Sequence, residues 1–253
     1  MKAISESIST IIIFATIIMV SLTIFYFSIA SLREATLSAE YGYMKSLFIS
    51  LADTFPDILE GGSFGARLPS RLVGIGYINL IDTSVNIIVI NDSNTIINYT
   101  DTPLVLHASA FASITTVERL IYGVDDYIVN ETILIPRIRE YYRDGQTHLE
   151  LDTIRFYVKV YVYQVDSTIT YIVNVMYVKL SVKITSSKPV QITASSGADI
   201  VNERLINIDD IILTIKGNGR NYTVTLDDLI PNRTPGSDII LKLIVKNVNV
   251  VLS

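Results

Sequence analysis

Three hydrophobic patterns follow one another along this chain. From Ser7 to Leu32 no position carries a charge. At about 1.5 Å per residue, a helix of roughly 26 residues spans about 39 Å, more than the roughly 30 Å hydrocarbon core of a bilayer. From Leu32 to Ile58 apolar or small residues recur in steps of three and four, at Leu32, Ala35, Ala39, Tyr43, Leu47, Leu51, Phe55 and Ile58, among charged Arg33, Glu34, Glu40, Lys45 and Asp53. That spacing predicts one face of an α-helix. Pro56 and Gly61-Gly62 provide the stop. The two stretches together predict one helix of about fifty residues, apolar all round and then amphipathic; a break near Gly42 into two helices is the alternative.

From Arg71 onward the period falls to two. "VNIIVIND", "RFYVKVYVYQVDSTITYIVNVMYVKLSVKIT", "DIILTIKGNGRNYTVTLDDL" and "DIILKLIVKNVNVVLS" are β-branched and aromatic runs separated by turn residues. Asp166-Ser167 and Gly217-Asn218-Gly219 are the predicted hairpin turns. Tyr157, Lys159, Tyr161 and Tyr163 alternate with valines, predicting a strand with a tyrosine-rich outer face. Val117 to Tyr122 reads as a short helix. The fold class is therefore α+β: a long N-terminal hydrophobic helix over residues 4–60, then an antiparallel β-sandwich-like domain over 61–253. The change of period predicts that residues 60–253 fold as a soluble β domain without the helix.

Composition narrows the function classes. The chain has 253 residues, 49% hydrophobic and 18% charged, with mean hydropathy +0.43. Net charge is −5, the bases are scattered, and no nucleic-acid partner is expected. Cysteine is absent, which is compatible with export and with a large core. His107 and His148 are the only histidines, and no metal, cofactor or catalytic motif is present. The acidic doublets Asp125-Asp126, Asp209-Asp210 and Asp227-Asp228 lack a calcium-loop pattern and read as solvated charges. An enzyme is not expected. Lys2 before the apolar stretch favours a cytoplasmic N-terminus and export of the rest. Five N-x-[ST] sequons then lie outside, at Asn91, Asn98, Asn130, Asn221 and Asn232.

Ser28-Ile29-Ala30 offers small residues for an ordinary signal cleavage, which would release a secreted module starting at Ser31. The overlong apolar run and the helical pattern beyond that point favour a retained helix.

The first residues resemble archaeal type IV pilins and archaellins, filament subunits made with class III signal peptides. Lys2 and Ala3 match the residues before the cut, and Ile4-Ser5 match the start of the mature chain. The leader would be residues 1–3, Glu6 stands where many relatives have proline, and Ile8 stands where bacterial pilins have glutamate. The resemblance covers the N-terminal helix alone. It implies a processing site at Lys2, Ala3 and Ile4, a prepilin peptidase, an assembly platform, and storage of the precursor in the membrane. It also implies a helical homopolymer in which Ile8, Ile12, Ala15, Ile18, Leu22, Phe25 and Ile29 form the filament core. A bitopic membrane protein whose β domain binds a surface-layer or appendage component is the competing reading.

Overall fold

The computed structural model describes residues 2–69, 73–80, 82–111, 114–115, 117–166, 168–217 and 219–253, with side chains from residue 11. Helix α1 (Lys2–Asp53) is continuous over 52 residues. Gly42 lies within it with open space where a side chain would be, so it marks neither a break nor a close contact. Thr54 closes the helix by donating its hydroxyl to the Ser50 carbonyl, 3.0 Å away. A short α2 (Phe55–Leu59) follows, with Pro56 in its first turn. Gly61 then takes φ +104°, and the Gly62 amide donates to Asp57 O at 2.8 Å. A Cβ on Gly62 would stand 2.8 Å from that same oxygen, which is why this stop needs glycine.

The buried stripe of α1 is not the one the sequence spacing picked. Leu47, Leu51, Phe55 and Ile58 are buried as expected, but Leu32, Ala35, Ala39 and Tyr43 face outward. Their places are taken by Leu37, Tyr41, Met44 and Phe48. Steps of four advance about 400° on a helix, so each adds about 40° of drift. Three such steps from Leu47 back to Ala35 turn the row about 120° away from the core. The observed set alternates steps of four and three and stays in line.

The strands are β1 (Ser63–Arg67), β2 (Val73–Asn79), β3 (Ser84–Asn91), β4 (Asn94–Asp101), β5 (Leu104–Ala110), β6 (Arg119–Tyr122), β7 (Ile128–Val129), β8 (Arg137–Arg143), β9 (Gln146–Asp152), β10 (Phe156–Val165), β11 (Thr168–Ile184), β12 (Gln191–Ser196), β13 (Val201–Ile206), β14 (Asp210–Gly217), β15 (Arg220–Thr225) and β16 (Asp238–Leu252), with a one-turn α3 (Leu226–Leu229) before the last. The Val117–Tyr122 stretch is therefore not helix: its Arg119–Tyr122 part is β6, which pairs antiparallel with β8 across a register shift. Both predicted hairpins form, β10 to β11 and β14 to β15. Ser167 and Asn218 in their turns lie outside the described residues.

Three sheets result. Five strands run β2-β5-β9-β8-β6, four run β15-β14-β3-β4, and a seven-stranded sheet runs β1-β12-β16-β11-β10-β7 with β13 also on β16. Most pairs are antiparallel, as expected. The exceptions are β10 with β7 and the long central pair β11–β16, which are parallel. Alternation within a strand says nothing about its neighbour's direction, so the sequence left this open.

Strands β11 and β16 contribute to two cores from opposite faces. Odd-numbered Tyr171, Val173, Val175, Tyr177, Ile239, Leu241, Leu243 and Val245 pack with the four-stranded sheet around Ile87, Val89, Ile211 and Leu213. Even-numbered Met176, Val178, Leu180, Val248, Val250 and Leu252 pack with the second half of α1, α2 and the five-stranded sheet. The helix thus belongs to the same packed unit as the β domain from Leu37 onward. A β domain cut at residue 60 would lose one wall of a core, contrary to the expectation from the period change.

Candidate functional site

Among the described residues, every side chain of α1 from Ile11 to Thr36 is exposed. Ile12, Ala15, Ile18, Leu22, Phe25 and Ile29 are all exposed, as are Ile11, Phe14, Met19, Phe27 and Leu32. The side chains of Lys2, Ala3, Ile4 and Ile8 lie outside the described residues; their backbone continues the helix. The helix is long and apolar enough to cross a membrane. Three of its hydroxyls are satisfied within the helix: those of Thr16, Thr23 and Thr36 each donate to the carbonyl four residues back at 2.8 Å. Thr23, Ser28 and Ser31 line a shallow groove rimmed by Ile24, Phe27 and Leu32. Small residues between large ones let another helix approach closely.

A buried ionic cluster joins the helix to the β domain. Glu140 on β8 is 1% exposed; the Tyr41 hydroxyl donates to it at 2.9 Å, the Lys45 ammonium lies 3.4 Å from both its oxygens, and Arg119 donates from β6. Burial would raise its pKa, but the bonds from Arg119 and Tyr41 and the Lys45 charge outweigh this and hold it below the usual glutamate value. Burial and Glu140 push the Tyr41 hydroxyl up, so it stays a donor. No sequence signal exposed this cluster, because its members are spread over three elements.

The groups that could carry chemistry are engaged with one another. His107 Nε2 and His148 Nδ1 lie 2.9 Å apart, and His148 stacks on Tyr141, whose hydroxyl donates to Glu150. Burial, then the neighbouring His148, pushes His107 down to about 4, so it is neutral at pH 7. Arg137 donates to Asp152 at 3.0 Å and Asp125 at 3.1 Å; fully buried Arg155 donates to Asp152 and to the Val124 and Ile135 carbonyls. The acidic doublets, read from sequence as solvated charges, are in part structural. Asp125 also binds Arg139, Asp210 accepts the Leu226 amide, and Asp228 caps α3 through Thr225. Among the described residues no group of three or more His, Asp or Glu is arranged to hold a metal ion.

Of the sequons, Asn98, Asn130, Asn221 and Asn232 are exposed and Asn91 is half-buried. Asn98 opposes Ile88 and Asn221 opposes Lys216, which places both on the outward face of the four-stranded sheet, on its two edge strands. Compared with known protein families, curated proteins and solved structures, the chain has no match.

Proposed function

We propose that this chain is a structural subunit of an extracellular type IV pilus-like filament, assembled through its apolar helix with the β domain outside. One observation carries the reading: a helix exposed and apolar on every side from Ile11 to Leu32 runs without a break into a half anchored in the β core. Such a segment has no stable place in water alone. A membrane can store it, and packing against copies of itself can bury it. On this reading Ala3–Ile4 is the bond cut by a prepilin peptidase, an assembly platform extracts the helix, and the exposed sequons carry sugars on a surface used for attachment.

The alternative is a bitopic membrane protein whose exported domain binds a surface-layer or appendage component, in which the helix needs apolarity but not shape. Ala15→Phe separates the two. It raises hydrophobicity, so membrane insertion is retained in both cases. In a packed filament core it overfills each subunit by about 1–3 kcal/mol, and filament yield in electron micrographs falls. Unchanged filaments from Ala15→Phe and from other size changes between Ile8 and Ile29 would leave the helix a simple anchor. Mass spectrometry of the native N-terminus is the parallel test, with Ile4 expected under the filament reading, Met1 under the bitopic one and Ser31 for a secreted module.

A further inference from the structure

Among the described residues, the half of the seven-stranded sheet farther from α1 is bare on the face that elsewhere carries the helix. The cover ends near Lys246, whose ammonium caps the Leu59 carbonyl of α2. Beyond it, the register lays out two rows across four strands. Tyr161, Ile172, Ile240 and Ile206 form one; Lys159, Asn174, Lys242 and Arg204 form the next. Ile206 is 62% exposed and Tyr161 37%, and Tyr163, beside the first row, is 53% exposed. Arg204 and Lys242 are direct cross-strand partners, a like-charge arrangement that is unfavourable by itself. None of the three cations forms an ion pair among the described residues, and Asp238 is the one carboxylate in these register positions. In a chain of net charge −5 this is an uncompensated basic strip. The sheet's rim is also open, since β10 beyond Tyr157 pairs only with β11 among the described residues and exposes Val162 and Val165.

The same chain carries a matching acidic strip. Asp53 at the end of α1, Asp57 on α2 and Glu60 just after it are all exposed. They fall at i, i+4 and i+7, a span of about 10 Å. The cation row crosses three strand spacings, about 14 Å. We propose that the bare half-face seats a second copy of this chain, whose Asp53–Asp57–Glu60 shoulder lies on the Lys159–Lys242–Arg204 row. The inference rests on the filament reading, which sets copies side by side. The two strips are different patches, so the contact is heterologous and open-ended, the kind that continues along a filament. Seating a copy there covers Tyr161, Tyr163 and Ile206 as well as neutralising the row. An anionic polysaccharide or nucleic acid would satisfy the charges but leave the exposed isoleucine and tyrosines less well covered.

The absence of native cysteine makes the test clean. Full-length chains carrying Lys242→Cys or Asp57→Cys, with different tags, are co-expressed and oxidised in the native membrane and filament fractions. A disulfide joining the two tags is expected, with none when Lys216→Cys on the outward face of the four-stranded sheet replaces Lys242→Cys. Lys242→Glu is expected to lower filament yield at least tenfold, and adding Asp57→Lys in the same chain to restore it. Normal filament yield from the two cysteine-bearing chains without the mixed disulfide would overturn this contact and leave the filament reading standing. No filaments and no mixed disulfide would overturn both. A Lys242→Cys homodimer in place of the mixed product would mean a closed face-to-face pair and also overturn it. So would loss of heparin or DNA binding in Lys242→Glu with filaments unchanged.

Discussion

Removing the N-terminal helix at two different points separates its two halves. A chain starting at residue 33 keeps every buried helical side chain from Leu37 to Leu59; a chain starting at residue 60 keeps none. Deletion also removes the entropy of ordering the segment, so the relevant loss is on the strands left behind. Helices α1 and α2 pack on β5, β8, β12 and β16, where Leu106, Ile138, Ile192, Val248 and Val250 are fully or almost fully buried. Burying such a side chain is worth about 1.5–3 kcal/mol, so half-exposing five of them costs roughly 4–8 kcal/mol. Glu140, on the same face of β8 as Ile138, also loses its bonds from Tyr41 and Lys45. The total rivals the about 5–15 kcal/mol by which a domain is stable. The 33–253 chain is expected to be soluble, with one sharp melting transition and well-dispersed NMR signals. The 60–253 chain is expected to aggregate, or to bind ANS and melt without cooperativity. A 60–253 chain melting as sharply as 33–253, and within a few degrees of it, would refute the claim that the helix is a wall of the core.

Glu140→Gln in the 33–253 chain keeps the shape of the side chain and removes its charge, and should cost about 1.5–3 kcal/mol in urea unfolding. Because the folded pKa of Glu140 is depressed, its contribution is full above the ordinary value of 4.5 and is lost as pH falls through the lower folded value; the variant should lack that part of the acid dependence. His107 is also depressed, from 6.5 to about 4, so the unfolded chain takes up its proton first. Stability should therefore fall as pH drops from 6.5 towards 4, and His107→Asn should flatten that slope in a series of melts. Lys2→Ala or Ala3→Leu should leave unprocessed chains in the membrane, detected by intact-mass measurement, with no filaments.

The sequence determined the element types, because they follow from local period. An uncharged stretch longer than a bilayer, a 3.6-residue pattern ending at Gly61-Gly62 and long alternating runs leave little choice of helix or strand. Even within that reading, the predicted helix at Val117–Tyr122 is instead strand over Arg119–Tyr122, because pairing of β6 with β8 decides a run too short to decide itself. What faces what was settled only by the tertiary structure. The burial of Tyr41 rather than Tyr43, the parallel pairing of β11 with β16, and the meeting of Glu140, Arg119, Tyr41 and Lys45 depend on residues far apart in sequence. The basic row of Lys159, Lys242 and Arg204 is likewise invisible along the chain. Its members lie on three strands, and only the register lines them up.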